Sequence, residues 1–343
     1  MTSQSDKSSS RLLLFGDSLG CPSLLRCIPR DKIVGLVAAE SRPGSIEPVT
    51  KLAKEYQIPF LIQPAFSNKE SYSQFIKAAR ELKPDLFVVY SYAMLLREDL
   101  LSIPRNGGVN IHGGTLPEYR GSNPIQWEII NREEEAGISI HRLTKELDSG
   151  DILESKSVSI GFSDTWIDVL NKISAMAENI LQNKIDKIIQ GTAIAEKQDS
   201  SRAIKRKRRK PDDGQFDWHM PAIDIYNLIR ALVNPLPGAF TVFPDGSREL
   251  FPNFLSISAI LERKSELIPL QLTTTHYLYP IVCQSPMSGI YFEIKDDTGK
   301  EFGSAVVSKI TKTSAHVVIG DNFKEEFSAF CKNEFLVSKV IYS

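Results

Sequence analysis

The chain has 343 residues, a length that at roughly 150 residues per domain sets two domains as the expectation. It is 42% hydrophobic and 24% charged, its mean hydropathy is -0.16, and its opening apolar run, residues 12–15, is far short of the ~18 residues of a transmembrane helix, so an integral membrane protein is excluded. The formal charge is -1, but residues 202–210 (RAIKRKRRK) hold seven bases and no acid, which leaves the rest of the chain at -8; the basic character is one local stripe.

Residues 1–10 are polar and Ser-rich, without the apolar core of a secretory signal, and read as a disordered lead-in. After them, short apolar runs alternate with amphipathic stretches, the pattern of βαβ units around a mostly parallel sheet. Strands are expected at 12–15, 33–38, 86–90 and 109–112, with helices at 21–27, 46–56 and 70–82, the last stopped by Pro84. A further strand is expected at 138–143. Trp166, Val169, Leu170, Ile173, Ala177, Ile180 and Leu181 repeat at helical spacing and predict a helix over 165–190, ended by Gly191. The turn sequence Pro211-Asp212-Asp213-Gly214 precedes a short helix at 222–232, and Pro235 to Gly238 break the chain again. Beyond that the helical period fades, and segments such as 289–295 and 315–319 predict a small β-rich domain. The division expected is a lead-in over 1–10, a catalytic domain over 11–200, a basic linker and connecting helix over 201–240, and the β-rich domain over 241–343. Cys21, Cys27, Cys283 and Cys331 form no CxxC pair and read as reduced, buried thiols in a cytoplasmic setting.

Three places invite chemistry. Gly16-Asp17-Ser18-Leu19-Gly20 follows the first strand, but its spacing is not GxGxxG, so a tight strand-to-helix turn is the expectation rather than a dinucleotide loop. Asn110 and His112 share one face of a strand, about 6.5 Å apart along it, and meet at its carboxyl end, where open α/β sheets bind ligands. The loop that follows, Gly113-Gly114-Thr115-Leu116-Pro117-Glu118-Tyr119-Arg120-Gly121, lets a ligand approach the backbone while Pro117 and Tyr119 stiffen it. Asp148, before Ser149-Gly150, reads either as an Asx-turn residue or as a carboxylate that orients and charge-stabilises His112. His141, His219, His276 and His316 read as surface or packing residues, and the five histidines show no metal-ligand cluster.

NIHGGTLPEYRGSNPIQW, followed by GISIHRLTKELDSGDIL, resembles the formyltransferase family that uses 10-formyltetrahydrofolate, and RRKPDDGQFDWHMPAIDIYNLIRALVNPLPGAF resembles the linker of its longer members. The likeness covers roughly residues 11–240 and is faint beyond. It implies an N-formyltransferase with a Rossmann-like, mostly parallel sheet and a smaller β-rich C-terminal domain. It also implies Asn110, His112 and Asp148 as the catalytic trio, 10-formyltetrahydrofolate as co-substrate without a metal, and folate contacts at Ser91, Tyr92, Met94, Leu95, Leu147 and Gly150. In that chemistry an amine attacks the formyl carbon; the Asn110 amide and His112 donate to the oxyanion, and neutral His112 takes the amine's proton. The family's usual loop has Ser and Leu where this chain has Gly114 and Thr115, a departure that bears on the acceptor pocket.

Two acceptors fit the longer members. A transfer RNA acceptor calls for broad positive surface, whereas residues 236–343 carry ten bases against twelve acids. The motif region has the cadence of the members that act on a nucleotide-linked 4-amino sugar, which makes that small-molecule amine the expected acceptor. Tyr119, Arg120, Arg208 and Arg209 are its candidate contacts. Charged methionyl-tRNA and a hydroxyornithine-type amine are the alternatives. The basic stripe reads as a solvated linker, as a phosphate contact or as a targeting run, and the final domain as a lid, a packing unit or a homodimer contact.

Overall fold

The computed structural model describes residues 10–255, 259–260, 276–281, 290–296, 301–310, 315–319 and 337–342, the last five stretches as backbone. Residues 1–9 of the expected lead-in, Cys283 and Cys331 lie outside these residues. The chain divides into two compact units: 1–124, 137–158 and 170–207 form the first, and 125–136, 159–169 and 208–343 the second.

The first unit is built on a seven-stranded sheet. Its strands are β1 (Leu12–Gly16), β2 (Ile33–Ala39), β3 (Phe60–Gln63), β4 (Leu86–Tyr90), β5 (Gly108–His112), β7 (Glu135–Arg142) and β8 (Ile152–Ser159), in the order β3-β2-β1-β4-β5-β7-β8. β1 to β5 pair in parallel, and β7 runs antiparallel to β5. Every residue of β1 and of β4 is buried, which is why these strands read as unbroken apolar runs rather than alternating ones. Burying each Leu or Phe there stabilises the fold by about 1.5–3 kcal/mol. Phe15 and Phe87 pack at 4.8 Å between ring centroids in the centre of the sheet.

Helices α1 (Gly20–Cys27), α2 (Pro43–Glu55) and α3 (Lys69–Glu81) link the first four strands. α2 begins three residues earlier than its apolar period suggests, because Pro43 sits in its first turn, where a missing N–H costs nothing. Asn68 caps α3 by accepting from the Ser71 N–H at 3.2 Å. α3 stops just before Pro84, with Lys83 at φ 44°. β3 and β8, both sheet edges, escape the sequence pattern because β3 has four residues, none fully buried before Gln63, and β8 is mostly exposed. α4 (Glu98–Leu101) is a single turn after β4.

Two short strands matter more than their length suggests. β6 (Arg120–Gly121) pairs in parallel with β9 (Lys205–Arg206), so part of the basic stripe is folded against the loop after β5. Between them runs α6 (Trp166–Ile189), which follows α5 (Pro124–Ile130) in the chain; Gly191, at φ 70°, ends it.

The second unit contains α5 and α7 (Ala222–Ala231), in which nine of ten residues are buried besides Asp224. Arg230, only 5% exposed, is satisfied by donating to Asn227 and to the carbonyls of Gly161 and Asp164. β10 (Ala239–Val242) and β11 (Arg248–Phe251) form a hairpin. The strands β12 (His276–Ile281), β13 (Ile290–Asp296), β14 (Glu301–Ile310), β15 (Ala315–Ile319) and β16 (Val337–Tyr342) form a sheet in chain order, antiparallel except for β15 with β16. The small β-rich region expected at the end of the chain is therefore present. No helix among the described residues is long and apolar enough to cross a membrane.

Candidate active site

Asn110 and His112 stand at the carboxyl end of β5, and the turn after β7 brings Asp148 to them. Asn110 Nδ2 lies 3.3 Å from Asp148 Oδ1, and His112 Nδ1 lies 3.7 Å from Asp148 Oδ2. His112 and Asp148 are 7% and 6% exposed. Asp148 holds a left-handed backbone at φ 52°, a conformation that Asp tolerates better than most residues. Its carboxylate also accepts the Gly121 N–H at 2.8 Å. The loop after β5 and the turn after β7 thus meet on one side chain.

The hydrogen bonds decide which atom of each ring is available. His112 Nε2 is 2.7 Å from the carbonyl of Tyr119; a carbonyl can only accept, so Nε2 carries the proton and the basic lone pair is on Nδ1, toward Asp148. The ring is therefore held by the Tyr119 carbonyl, and Asp148 supplies charge more than orientation. Burial lowers the pKa of His112, against the opposing pull of Asp148. Burial alone would raise Asp148, but His112, His141 and the Gly121 N–H together bring it down to about 2. At neutral pH the pair is a neutral imidazole facing a carboxylate.

His141 belongs to the same cluster, contrary to its expected role as surface or packing. It is 2% exposed and sits directly opposite Asn110 in the antiparallel pairing of β5 with β7. His141 Nδ1 donates to the Arg142 carbonyl at 2.9 Å, and its Nε2 lies 3.1 Å from Asn110 Nδ2 and 3.4 Å from Asp148 Oδ1. The two hydrogens of the Asn110 amide are thereby directed at His141 and Asp148. A turned amide would set oxygen against the Asp148 carboxylate, so the nitrogen stays inward and the carbonyl oxygen faces the other way. Both hydrogens of the Asn110 amide are thus engaged within the protein, and the expected donation by Asn110 to an oxyanion requires one of these contacts to be released. The signal for His141 was its register on an antiparallel strand, which a sequence expectation of parallel units hides.

The loop departure has a packing cause. A Cβ on Gly114 would sit 2.5 Å from Pro124 Cβ and 2.9 Å from His112 Nε2, so no side chain fits there while Pro124 packs as it does.

Of the remaining expected site residues, Ser91 donates to Asp17 Oδ2 at 2.8 Å, and Asp17 in turn accepts from Leu19 N and Gly20 N to close the tight turn that opens α1. Tyr92 is turned into the fold, its hydroxyl on Gln63 Oε1 at 2.8 Å and its ring against Phe15 at 5.4 Å. Leu95 and Leu147 are 56% and 46% exposed. Met94 is half-buried, and Gly150 is buried beside Asp148 in the chain. Tyr119 is buried, with the guanidinium of Arg206 over its ring at 4.5 Å. Arg120 is engaged inside the protein, its Nε and Nη2 on Gln198 Oε1 at 2.9 and 2.7 Å. Arg208 and Arg209 belong to the second unit. There Arg209 lies 4.8 Å over the Trp127 ring and donates to the Asp213 carbonyl, and Arg208 is exposed. His219 is a surface residue paired with Asp217.

An Asn, a buried His and a low-pKa Asp thus converge at the carboxyl end of β5 in a Rossmann-like, mostly parallel sheet. The chain belongs to the formyl transferase family: the pattern of that family matches residues 30–185, and that of the formyl transferase C-terminal domain matches 208–254. It is 35% identical over 238 residues to a methionyl-tRNA formyltransferase of Geobacter metallireducens, covering 67% of this chain and 75% of that one. It is also 32% identical over 244 residues to that of Geobacter sulfurreducens, covering 69% and 75%. Among solved structures the fold is similar to a sugar N-formyltransferase from Shewanella sp. FDAARGOS_354, with a TM-score of 0.57 and 18% identity over 72% of this chain and 97% of that one. A second is an N-formyltransferase from Helicobacter canadensis in complex with folinic acid and dTDP-3-aminofucose, with a TM-score of 0.56 and 16% identity over 85% and 97%.

Proposed function

We propose that this enzyme moves a formyl group from 10-formyltetrahydrofolate to the primary amine of a nucleotide-linked amino sugar, with Asn110, His112 and Asp148 as the reacting centre. The observation that carries the transfer chemistry is the pairing of a neutral, buried His112 with an ionised Asp148 at the carboxyl end of β5. A folate-type donor accords with the folinic acid in the Helicobacter neighbour, and the exposed Leu95 and Leu147 offer apolar surface for its ring system.

His112 Nδ1 accepts the proton that the attacking amine loses as its nitrogen bonds to the formyl carbon. The imidazolium so formed faces Asp148, whose charge stabilises it. The Asn110 carbonyl oxygen accepts an N–H of the incoming amine and aligns its lone pair. When the bond from formyl carbon to N10 breaks, His112 returns the proton to N10, and tetrahydrofolate leaves.

For the acceptor, the observations that support a sugar nucleotide are local. Part of the stripe that an RNA would use is engaged within the protein: Arg206 lies on Tyr119 and Arg209 on Trp127, and the exposed Arg202 pairs with Glu118. The chain after residue 236 is acidic on balance, which opposes a polyanion. The sequence relatives favour a second reading, methionyl-tRNA as acceptor. An assay of tetrahydrofolate release with 10-formyltetrahydrofolate, run without acceptor and then with nucleotide 4-amino sugars or charged methionyl-tRNA, separates the two. Release that depends on the amino sugar supports the first reading, release with the tRNA replaces it with the second, and release without acceptor means hydrolysis.

A further inference from the structure

We propose that residues 198–206 form a strap that sets the geometry of the site from outside, with Gln198 and Arg206 as positioning residues for Asp148 and His112. Its effect on turnover rests on the formyl-transfer reading; its geometric part does not.

The strap is attached along the length of the loop after β5. Ile204 N donates to the Pro117 carbonyl at 3.3 Å, Arg202 pairs with Glu118, and Arg206 covers the Tyr119 ring. Arg120 and Gly121 pair with Lys205 and Arg206 as strands. Gly121, at φ 104°, is the one position where the Arg206 carbonyl approaches so closely that a Cβ would collide with it; a left-handed glycine is what lets the two strands meet. The residues under the strap are the ones that hold the site. Tyr119 presents its carbonyl to His112 Nε2, and Gly121 presents its N–H to Asp148 Oδ2.

Gln198 completes the attachment on the other side. Its Oε1 accepts two bonds from Arg120 at 2.9 and 2.7 Å, and its Nε2 donates to the carbonyls of Asp148 and Gly150 at 2.9 and 2.7 Å. A guanidinium on one end and two carbonyls on the other admit only one orientation of the amide, because turning it would oppose donors to donors and acceptors to acceptors. One side chain thus ties the loop after β5 to the turn after β7 and pins the backbone at Asp148, where φ is 52°. Neither residue offers a proton to the reacting atoms. Both fix groups whose displacement by an ångström is costly in rate.

The test compares Gln198→Glu, which keeps an acceptor for Arg120 but sets a carboxylate against two carbonyls, with Arg206→Ala. Lys205→Ser, an equal loss of charge at an exposed side chain of the same strand, is the control. In protein labelled at histidine, the Nε2–H resonance of His112 is assigned by its loss in His112→Gln, and its exchange with solvent is measured alongside kcat and KM. The strap predicts that in both variants exchange accelerates about ten-fold or more and kcat falls about ten-fold, while KM for the formyl donor stays within about two-fold. Lys205→Ser matches the wild type in both readouts. If Gln198→Glu does not fold, Arg206→Ala carries the same comparison. Folded variants with wild-type exchange overturn the proposal, whatever their stability. A wild-type enzyme that transfers formyl to no acceptor overturns the function instead, and the exchange comparison still decides the strap.

Discussion

Asn110 and His141 face each other across the antiparallel pair of β5 and β7, the carboxamide nitrogen 3.1 Å from the imidazole Nε2. With the Asp148 carboxylate 3.3 Å from the same nitrogen, that contact turns the carbonyl end of the Asn110 amide away from the cluster. His141→Phe removes one of the two partners of the amide nitrogen and leaves Asp148 alone to hold it. The expected result is a fall in kcat of about ten-fold, within the range seen for misoriented catalytic groups, with the circular dichroism spectrum retained. Steady-state rates with the acceptor that the release assay selects check it.

The His112–Asp148 pair makes the fold sensitive to acid. Burial, opposed by Asp148, holds His112 below its ordinary 6.5, so the unfolded chain binds a proton that the folded one refuses. The stability contributed by the neutral ring is complete above pH 6.5 and declines as pH falls below it. Asp148, against the penalty of burial, is held at about 2 by the histidines and the Gly121 N–H. Its contribution is complete above 3.8 and is lost between 3.8 and about 2. Urea midpoints measured from pH 8 to pH 3 are expected to fall in that order, with a shallower decline below pH 4 in Asp148→Asn. An Asp148→Asn curve parallel to the wild type at every pH contradicts the assignment.

The same histidine sets the pH dependence of turnover. Since its neutral form accepts the proton, kcat/KM is expected to fall at acid pH through an apparent pKa below 6.5 that is missing from His112→Gln. A limb above 7 shared by both proteins belongs to the acceptor's own ammonium group, and a profile without the acid limb counts against His112 as the base.

Gly114→Ser restores the family's usual loop residue but places a side chain against Pro124 and His112 Nε2. Overpacking of this kind costs about 1–3 kcal/mol. A lowered urea midpoint together with a reduced kcat is the expected outcome; unchanged stability means that Pro124 moves aside.

Replacing the exposed Lys205 and Lys210 by Ser separates the two acceptors. With an amino-sugar nucleotide, KM and its salt dependence stay as in the wild type. With tRNA, each lost phosphate contact lowers the slope of log affinity against log salt by about 0.7–0.9.

The parallel core was legible because β1, β2, β4 and β5 are buried and nearly all apolar, and because α3 and α6 carry one apolar stripe each. The edges were not: β3 is too short and β8 too exposed to stand out from loop. In the site, Asn110 and His112 stood out by their place at a strand end before a glycine-rich loop, and Asp148 joined them through the family resemblance. His141 did not, since its role comes from a cross-strand partner 31 residues away, and Gln198 did not, since its four bonds reach two loops distant in sequence. The basic stripe was legible as an exposed run of charge, but not that Arg206 and Arg209 lie on aromatic rings and Arg202 pairs with a carboxylate, since those partners are distant in sequence.

The most direct test of the central claim is the rate of acceptor-dependent tetrahydrofolate formation by His112→Gln, with calorimetric binding of the formyl donor measured on the same preparation. Loss of the base and of the imidazolium predicts a fall of about 1,000-fold or more in kcat, with donor affinity within about two-fold of wild type. Turnover within ten-fold of the wild type, in a protein that binds the donor normally, would contradict the assignment of the reacting centre to His112 and Asp148.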